Sequence, residues 1–143
     1  MTELSAVAEV LGLARRDKPL ATPFDLIARI ARGLPLSALE RVTASVAPGD
    51  AAFRYRIIPK ASLARRRHDK RLTAAEGERL ARIATVWAFA CEVWGGEAEA
   101  RNFLFRPHAM LRDRPPIDVA IDSAFGARLV EDILGRLQYG SAA

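Results

Sequence analysis

A dense run of basic side chains, "KASLARRRHDKR" at residues 60–71, is the stretch of this sequence with the clearest chemical capacity. Arginine and lysine bind phosphate oxygens, and polar side chains in the first turn of such a helix reach the edges of bases. The run therefore predicts a DNA-binding surface, and the alternative is a solvated basic face without a partner. Leu63 is expected to face the core. The predicted DNA-binding residues are Lys60, Ser62, Arg65, Arg66, Arg67 and Lys70.

The charge of the chain is distributed unevenly along its 143 residues, with a formal net value of +5. Residues 1–71 hold 14 Lys and Arg against 7 Asp and Glu, which gives +7, whereas residues 72–143 hold 8 against 10, which gives −2. A basic half favours a polyanionic partner. We therefore expect the two halves to bind different partners.

Side chains that could support catalysis or hold a metal ion are few and scattered. His68 lies in the basic run and His108 in a proline-flanked loop, and neither has a second His or Cys at ligand spacing. Cys91 is the single cysteine, so no intramolecular disulfide is possible, and its apolar surroundings, "VWAFACEVW", predict a buried thiol. We predict no enzymatic activity, no metal site and no cofactor.

No segment of the sequence predicts export or membrane insertion. The apolar stretch near the N-terminus follows an acid and has no basic residues ahead of it, unlike a signal peptide. No apolar run approaches the length of a membrane span. Together with the cysteine usage, this favours a cytoplasmic protein.

Apolar residues recur at intervals of three and four, without hairpin signals, and this predicts an all-α fold. The first predicted helix begins after the N-cap Thr22, ends at Gly33 and has one apolar face, formed by Phe24, Ile27, Ile30 and Ala31. The second ends at Pro48-Gly49, and its apolar stripe is Leu36, Leu39, Val42 and Val46. Two short helical units, "DAAFRYRI" and "PKASLARRR", then meet at Ile57-Ile58-Pro59, as in a helix-turn-helix, although many small helical hairpins share this format.

The strongest helix signal opens with a capping box of Thr73 and Glu76 and ends at Gly95-Gly96. Its expected core face is Leu80, Ile83, Ala84, Trp87, Cys91 and Trp94, with the tryptophans interpreted as packing residues and not as a ligand cage. A short helix, "EAEARNFLF", and a proline-rich loop leading to Ile117-Asp118 follow. The last helix, from about Ser123 to Tyr139, precedes Gly140, and its stripe is Leu129, Val130, Ile133, Leu134 and Leu137.

The C-terminal half resembles the toxin-binding domain of the Xre/MbcA/ParS antitoxins, the partners of RES-domain toxins. The motifs that carry this resemblance are Arg71-Leu72-Thr73, Gly95-Gly96, Pro116-Ile117-Asp118, Gly126-Ala127-Arg128, Gly135-Arg136-Leu137 and Tyr139-Gly140. The stretches "GLPLSALERV" and "IIPKASLARRR" are similar to the Xre-like helix-turn-helix that precedes this domain, so the resemblance covers residues 22–143.

Two segments depart from the family pattern. Residues 102–104, "NFL", stand where the family favours a Trp-Leu pair, and residues 111–114, "LRDR", stand where relatives often carry Gly-Gly. We expect local repacking at both places, without a change of role.

The resemblance implies a helix-turn-helix domain over residues 22–71 and a toxin-binding domain over 72–143, after an N-terminal segment, 1–21, of unknown role. It implies an antitoxin that binds the RES-domain toxin encoded next to it and occludes the NAD site, where the toxin degrades NAD or transfers ADP-ribose. It also implies binding to promoter DNA, as a homodimer or a larger toxin–antitoxin assembly. The toxin-binding residues would be Arg128, Arg136, Gln138, Tyr139 and Gly140. The resemblance leaves open whether the basic run at residues 60–71 serves DNA or, in part, the toxin.

A second hypothesis remains open at this point. The chain would then be a stand-alone dimeric helix-turn-helix transcription regulator, whose C-terminal half dimerises or senses a ligand. The two hypotheses differ in whether a toxin binds the C-terminal half.

Overall fold

The computed structural model describes residues 3–14 and 20–140, and it confirms the predicted all-α class. These residues form no β-strand, only two isolated β-bridges. Short 3-10 turns lie at Ala51–Phe53 and Ala109–Leu111. The helices are α1 (Glu3–Leu11), α2 (Pro23–Arg32), α3 (Leu36–Val46), α4 (Arg54–Ile57), α5 (Lys60–Asp69), α6 (Ala74–Trp94), α7 (Glu97–Phe105), α8 (Pro116–Asp122) and α9 (Ala124–Gln138).

The longest helix, α6, is the centre of the fold, and α1, α2, α3, α7, α8 and α9 all pack against it. Its predicted capping box is present: Thr73 Oγ1 accepts from the Glu76 N–H at 3.2 Å, and Glu76 Oε1 accepts from the Thr73 N–H at 2.9 Å. Trp87 lies in the core and is 3% exposed. The capping box provides hydrogen-bond partners for backbone N–H groups at the start of α6, and burial of its apolar face stabilises the rest of the helix. The helix ends at Gly95, which adopts the left-handed conformation.

Two arginines of α6 bind the C-terminal ends of other helices. Arg79 Nη1 donates to the Ile57 carbonyl oxygen, the last of α4, at 2.6 Å. Arg82 donates to the carbonyl oxygens of Ala120 and Ile121, near the end of α8, at 3.0 and 2.8 Å. Terminal carbonyls have no partner within their own helix and carry partial negative charge, so a guanidinium group stabilises them. One helix thereby joins the N-terminal and C-terminal halves.

A third arginine, Arg101 of α7, repeats this arrangement. Its Nε donates to the Ser45 carbonyl oxygen near the end of α3 at 3.0 Å. The same guanidinium group lies 5.4 Å from the centre of the Trp87 ring, within the range of a cation–π contact. Arg101 therefore links α3, α6 and α7.

The N-terminal helix α1 is part of the core, although the sequence analysis assigned no role to residues 1–21. Val7, Ala8 and Leu11 are buried, and α1 packs against both α6 and α3. Arg41 of α3 donates to the Glu9 carbonyl oxygen at 3.2 Å. Residues 3–14 thus have a packing role. Residues 1–2 and 15–19 lie outside the described part of the chain.

The expected core face of α2 is wrong. Phe24 is 78% exposed and Ile27 56% exposed, Ala31 is also exposed, and only Ile30 of this helix is buried. Because α2 lies at the edge of the bundle, only part of its apolar arc touches α6. Periodicity identifies the apolar arc of a helix but does not say how much of that arc a neighbour covers.

Two further residues assigned to core stripes are exposed, and three others, Leu36, Cys91 and Leu137, are half-buried and not fully buried as predicted. Trp94 is 40% exposed because α6 ends at this residue. Its ring packs against the Phe103 ring, with 5.8 Å between the ring centres. Leu129 is 42% exposed, since the buried arc of α9 passes through Val130 and Ile133 instead. The other apolar positions predicted for α9 are buried or half-buried.

Helix α8 was not predicted, and its position explains a glycine in the family motifs. The chain turns from α8 into α9 at Ser123, whose Oγ accepts from the Gly126 N–H at 2.9 Å. A Cβ placed on Gly126 would overlap the Val119 carbonyl oxygen of α8. Only glycine therefore allows the two helices to approach this closely at the turn.

The segment where relatives often carry Gly-Gly adopts a backbone that suits glycine. Arg112 and Asp113 have φ values of 57° and 62°, in the left-handed region. The loop is closed by the bridge between His108 and Arg114, with His108 N–H donating to the Arg114 carbonyl oxygen at 3.1 Å. This chain thus holds two non-glycine residues in a conformation that ordinarily favours glycine.

No helix in the described part of the chain is both long and apolar enough to cross a membrane.

We predict that Trp87→Ala leaves a cavity between α6 and its neighbours and lowers the free energy of unfolding by about 3–5 kcal/mol. Thermal unfolding of the purified variant measures this loss. Phe24→Ala is a matched control because Phe24 is 78% exposed, so its removal is expected to change stability little. Equal melting temperatures for the Trp87 variant and the wild type would contradict the buried position.

Candidate functional site

The basic helix α5 exposes most of its predicted DNA-binding residues. Leu63 is 1% exposed and faces the core, as predicted. Ser62 is partly exposed and accepts a hydrogen bond from Arg65 Nη2 at 3.3 Å. The exposed cations are Lys60, Arg65, Arg67 and Lys70.

The turn before α5 is fixed from inside the fold. Ile57 and Ile58 are fully buried, and Arg79 of α6 binds the Ile57 carbonyl oxygen. At the start of α5, Lys60 Nζ lies 5.8 Å from the centre of the Tyr55 ring. The helix that carries the cations therefore sits on a rigid base, as recognition helices do.

Arg66 differs from the other predicted DNA-binding residues because it pairs with acids of the protein itself. Its Nε donates to Glu76 Oε1 at 2.7 Å, and its Nη1 lies 3.4 Å from Asp69 Oδ2. The Arg66 side chain is 15% exposed. Since Glu76 also closes the capping box of α6, this ion pair attaches α5 to the start of α6.

The electrostatics of this pair are consistent with a structural role. Burial by itself raises the pKa of the Glu76 carboxyl group, but hydrogen bonds from Arg66 and the Thr73 backbone, with the Arg66 charge, outweigh it and hold the pKa below its ordinary value. The hydrogen bond with Glu76 in turn raises the pKa of Arg66. Both groups are charged at neutral pH.

Four of the five predicted toxin-binding residues, Arg136, Gln138, Tyr139 and Gly140, lie together at the end of α9, and all five are exposed. Tyr139 is 84% exposed and follows the last helical residue. Gln138 Nε2 lies 3.4 Å from Glu92 Oε1 of α6, and Arg136 Nη1 lies 3.9 Å from Met110 Sδ. Gly140 has a φ of 76°, in the left-handed region. Arg128 lies further toward the N-terminus of the same helix.

Three large exposed apolar residues on or beside α9 were not among the predicted site residues, and one of them, Leu129, had been assigned to the buried stripe. Phe125 and Leu129, one turn apart on α9, are 69% and 42% exposed, and Met110 is 47% exposed. Together with Arg136 and Tyr139 they form what we call the α9 face. A signal was available: positions 125, 129, 132, 136 and 139 recur at three and four residues, offset from the buried stripe.

A cleft of about 420 Å³ lies beside this face, between the end of α6, α7 and the last turn of α9. Trp94, Phe103 and His108 supply its aromatic wall, and Leu137 of α9 closes one side. The Phe103 and His108 rings meet edge to face, 6.0 Å apart. The partial exposure of Trp94 is therefore exposure to this cleft.

Other reactive side chains offer no site in the described residues. Burial, with a smaller contribution from Glu97, raises the pKa of the half-buried Cys91 thiol to about 11, so the thiol is protonated at neutral pH. Glu131 has a pKa raised by burial and by the nearby acids Glu3 and Asp132. The described part of the chain contains no cluster of three or more His, Cys, Asp or Glu side chains suited to a metal ion.

Comparison with known proteins finds a matching domain family for each half of the chain. Residues 25–84 match the antitoxin Xre-like helix-turn-helix domain, and residues 90–140 match the antitoxin Xre/MbcA/ParS C-terminal toxin-binding domain. The chain is 40% identical over 85 residues to Antitoxin Xre of Yersinia enterocolitica (serotype O:8 / biotype 1B, strain NCTC 13174 / 8081). The aligned region covers 58% of this chain and 57% of that relative.

A helix-turn-helix domain followed by a toxin-binding domain is the composition of an antitoxin. The chain belongs to the Xre/MbcA/ParS antitoxin family, as the resemblance of its motifs indicated.

The Arg66–Glu76 pair predicts a specific loss of stability in acid. The pKa of Glu76 is lower in the folded chain than its ordinary value of about 4.3. At pH values between these two pKa values, the folded state therefore binds fewer protons than the unfolded state. The stabilisation is complete above the ordinary value and is lost as pH falls through the folded pKa. We expect Glu76→Gln to melt at a lower temperature at pH 7 and to show a weaker acid dependence.

Melting temperatures from neutral pH to about pH 3 measure this effect. Glu78→Gln is the control, since Glu78 is an exposed carboxylate on the same helix. If both variants lose stability with pH as the wild type does, the Arg66–Glu76 pair does not couple α5 to α6.

Proposed function

We propose that this chain is the antitoxin of a type II system whose toxin is a RES-domain protein encoded next to it. In this proposal its C-terminal domain binds the toxin and occludes the NAD site, and its helix-turn-helix binds the promoter of the operon. The chain acts in the cytoplasm by binding, and carries no catalysis of its own. The family membership and the exposed α9 face support this proposal.

The observation that carries the toxin part is Tyr139, which is 84% exposed beyond the last buried turn of α9. Leu134, one turn before the end of the helix, is fully buried, so the fold holds the final residues outward. An aromatic ring with a hydroxyl suits a nucleotide-shaped cleft, and the small, uncharged residues that follow avoid the cost of burying a charge. Arg136 and Arg128 can pair with carboxylates at the rim of that cleft.

The apolar part of the α9 face gives the toxin a second area of contact. Phe125, Leu129 and Met110 are large and exposed, as anchor residues at a protein interface are, and Phe125 and Leu129 lie on the same helix that leads into the tail. In this proposal they supply the affinity, whereas the tail supplies the occlusion. Binding and inhibition are therefore separable by mutation.

For promoter binding we propose that the exposed cations of α5 contact DNA, without Arg66. Arg65, Arg67 and Lys70 reach phosphates, and Lys60 and Ser62, in the first turn, meet base edges. Arg66 holds α5 in place through Glu76. The basic charge of the N-terminal half thus divides into a DNA-facing part and a structural part.

We predict that deleting residues 138–143 leaves the fold and DNA binding nearly unchanged but restores NAD consumption in the complex. Leu137 and the apolar part of the α9 face remain, so the toxin still binds, while the group that enters its cleft is gone. Co-purification and an NAD assay of the purified complex measure the two effects. Deleting only residues 141–143 is the matched control, because it retains Tyr139. Full inhibition by the longer deletion would assign occlusion to another part of the domain.

We predict that Arg65→Ala with Arg67→Ala weakens promoter binding at every sequence. The slope of log affinity against log salt should fall by about one unit per lost phosphate contact, so by about two. Toxin neutralisation should persist. Arg66→Ala is compared with this double variant. Because Arg66 pairs with Glu76, its replacement should lower the melting temperature.

Two outcomes contradict these assignments. If the double variant loses neutralisation but keeps DNA binding, the arginines of α5 belong to the toxin interface. If co-expression with the neighbouring gene product yields no complex while promoter binding is retained, the chain acts as a stand-alone transcription regulator.

A further inference from the structure

The cleft between the end of α6, α7 and the last turn of α9 has no role in the function proposed above. Its volume of about 420 Å³ is within the range of sites that hold small organic ligands. None of the residues that line it belongs to the α9 face. The chemistry of its walls and of the polar groups at its rim therefore decides which ligand it can take.

The wall of the cleft is aromatic. Trp94 is 40% exposed, whereas Phe103 behind it is only 9% exposed. The two ring centres are 5.8 Å apart and the planes are inclined by 34°, so a ligand stacks on the outer side of Trp94 and not between the rings. Proteins bind single bases by stacking them on aromatic side chains in this way. The cleft is thus suited to a flat aromatic ring.

One side of α7 supplies the polar groups. Asn102, Phe103 and Arg106 follow Glu99 at three, four and seven residues, so all four lie on the same side of the helix. Glu99, Asn102 and Arg106 are exposed and line the cleft. Their side chains form no hydrogen bond or ion pair within the described residues. They are therefore available to a ligand.

The two ends of the cleft carry opposite charges. The Glu99 carboxylate lies at the start of α7, where a Cβ placed on Gly96 would be 2.8 Å from Glu99 Oε2. Arg106 follows the last residue of the helix, which is about 10 Å further along the axis. Beside it, His108 Nδ1 accepts from the Met110 N–H at 3.1 Å, so the proton of the neutral ring is on Nε2. One end therefore accepts hydrogen bonds, and the other binds an anion.

We propose that this cleft binds a mononucleotide whose base carries an exocyclic amino group, such as AMP or CMP. The base stacks on Trp94, and its amino group donates to Glu99. The phosphate is bound by Arg106 and His108 at the other end. The Asn102 amide lies between the two ends and can both donate to and accept from the polar edge of the base.

The same arrangement predicts which nucleotides are rejected. IMP and UMP carry a carbonyl oxygen where AMP and CMP carry the amino group, and an oxygen beside the Glu99 carboxylate is repelled. Adenosine lacks the phosphate that Arg106 binds. The inference does not depend on the toxin or DNA binding proposed above, because it concerns a different surface of the chain.

The first test is isothermal titration calorimetry of the full chain, without toxin or DNA. We expect AMP and CMP to bind saturably at one site per chain, and adenosine and IMP to bind about tenfold more weakly or worse, since each lacks one hydrogen bond to a charged group. If AMP gives no saturable binding, or if AMP, adenosine and IMP bind equally, the proposal is wrong.

The second test uses variants, because the exposed cations of α5 could also attract a phosphate. Arg106→Gln should weaken AMP binding about tenfold and leave adenosine binding unchanged. Arg112→Gln is the matched control, since Arg112 is an exposed arginine of the same domain outside the cleft.

The carboxylate end is tested with Glu99→Gln, which should reduce the preference for AMP over IMP because an amide can donate as well as accept. Circular dichroism checks the fold of each variant. Equal losses in the Arg106 and Arg112 variants, or an unchanged preference in the Glu99 variant, would overturn the proposal and leave the proposed antitoxin function untouched.

Discussion

The contact on which the rest of the structure depends is the hydrogen bond between an arginine and the C-terminal carbonyl groups of a neighbouring helix. Arg79 and Arg82 place such bonds on α4 and α8 from one helix, and Arg101 adds a third on α3. A chain of short helices has many unpaired terminal carbonyls, and each costs free energy when it is buried without a partner. Arginine suits this task because its planar, permanently charged fork supplies several donors at the end of a long stem.

This use of arginine limits what net charge says about function. The N-terminal half has a balance of +7, yet Arg66 is committed to Glu76, Arg54 to Glu40 and Arg56 to Asp118. A basic half favours a polyanionic partner, but the residues that remain for such a partner are fewer than the sequence suggests. Only the structure separates the arginines that pair within the protein from those that a partner can reach. The ion pairs between α5 and α6, and between α4 and α8, join residues on different helices.

The helices and their caps were largely predictable because they depend on local rules. The Thr73 capping box, the turn at Gly95 and the N-cap at Thr22 follow from residues a few positions apart. The partners of each face were not predictable. Phe24 and Leu129 lie on apolar arcs that no neighbour fully covers, and α1 joins the core through contacts with α3 and α6, far along the chain. For the same reason the apolar half of the α9 face was missed.

The length of α6 sets a distance between the two ends of the molecule. At 1.5 Å per residue, a helix of 21 residues extends over roughly 30 Å. Its first turn receives Arg66 from the basic helix, and its last turns meet Gln138 and form the aromatic cleft. The basic helix and the C-terminal tail are therefore about one length of α6 apart and share no surface, and whatever is held at one end travels with the other.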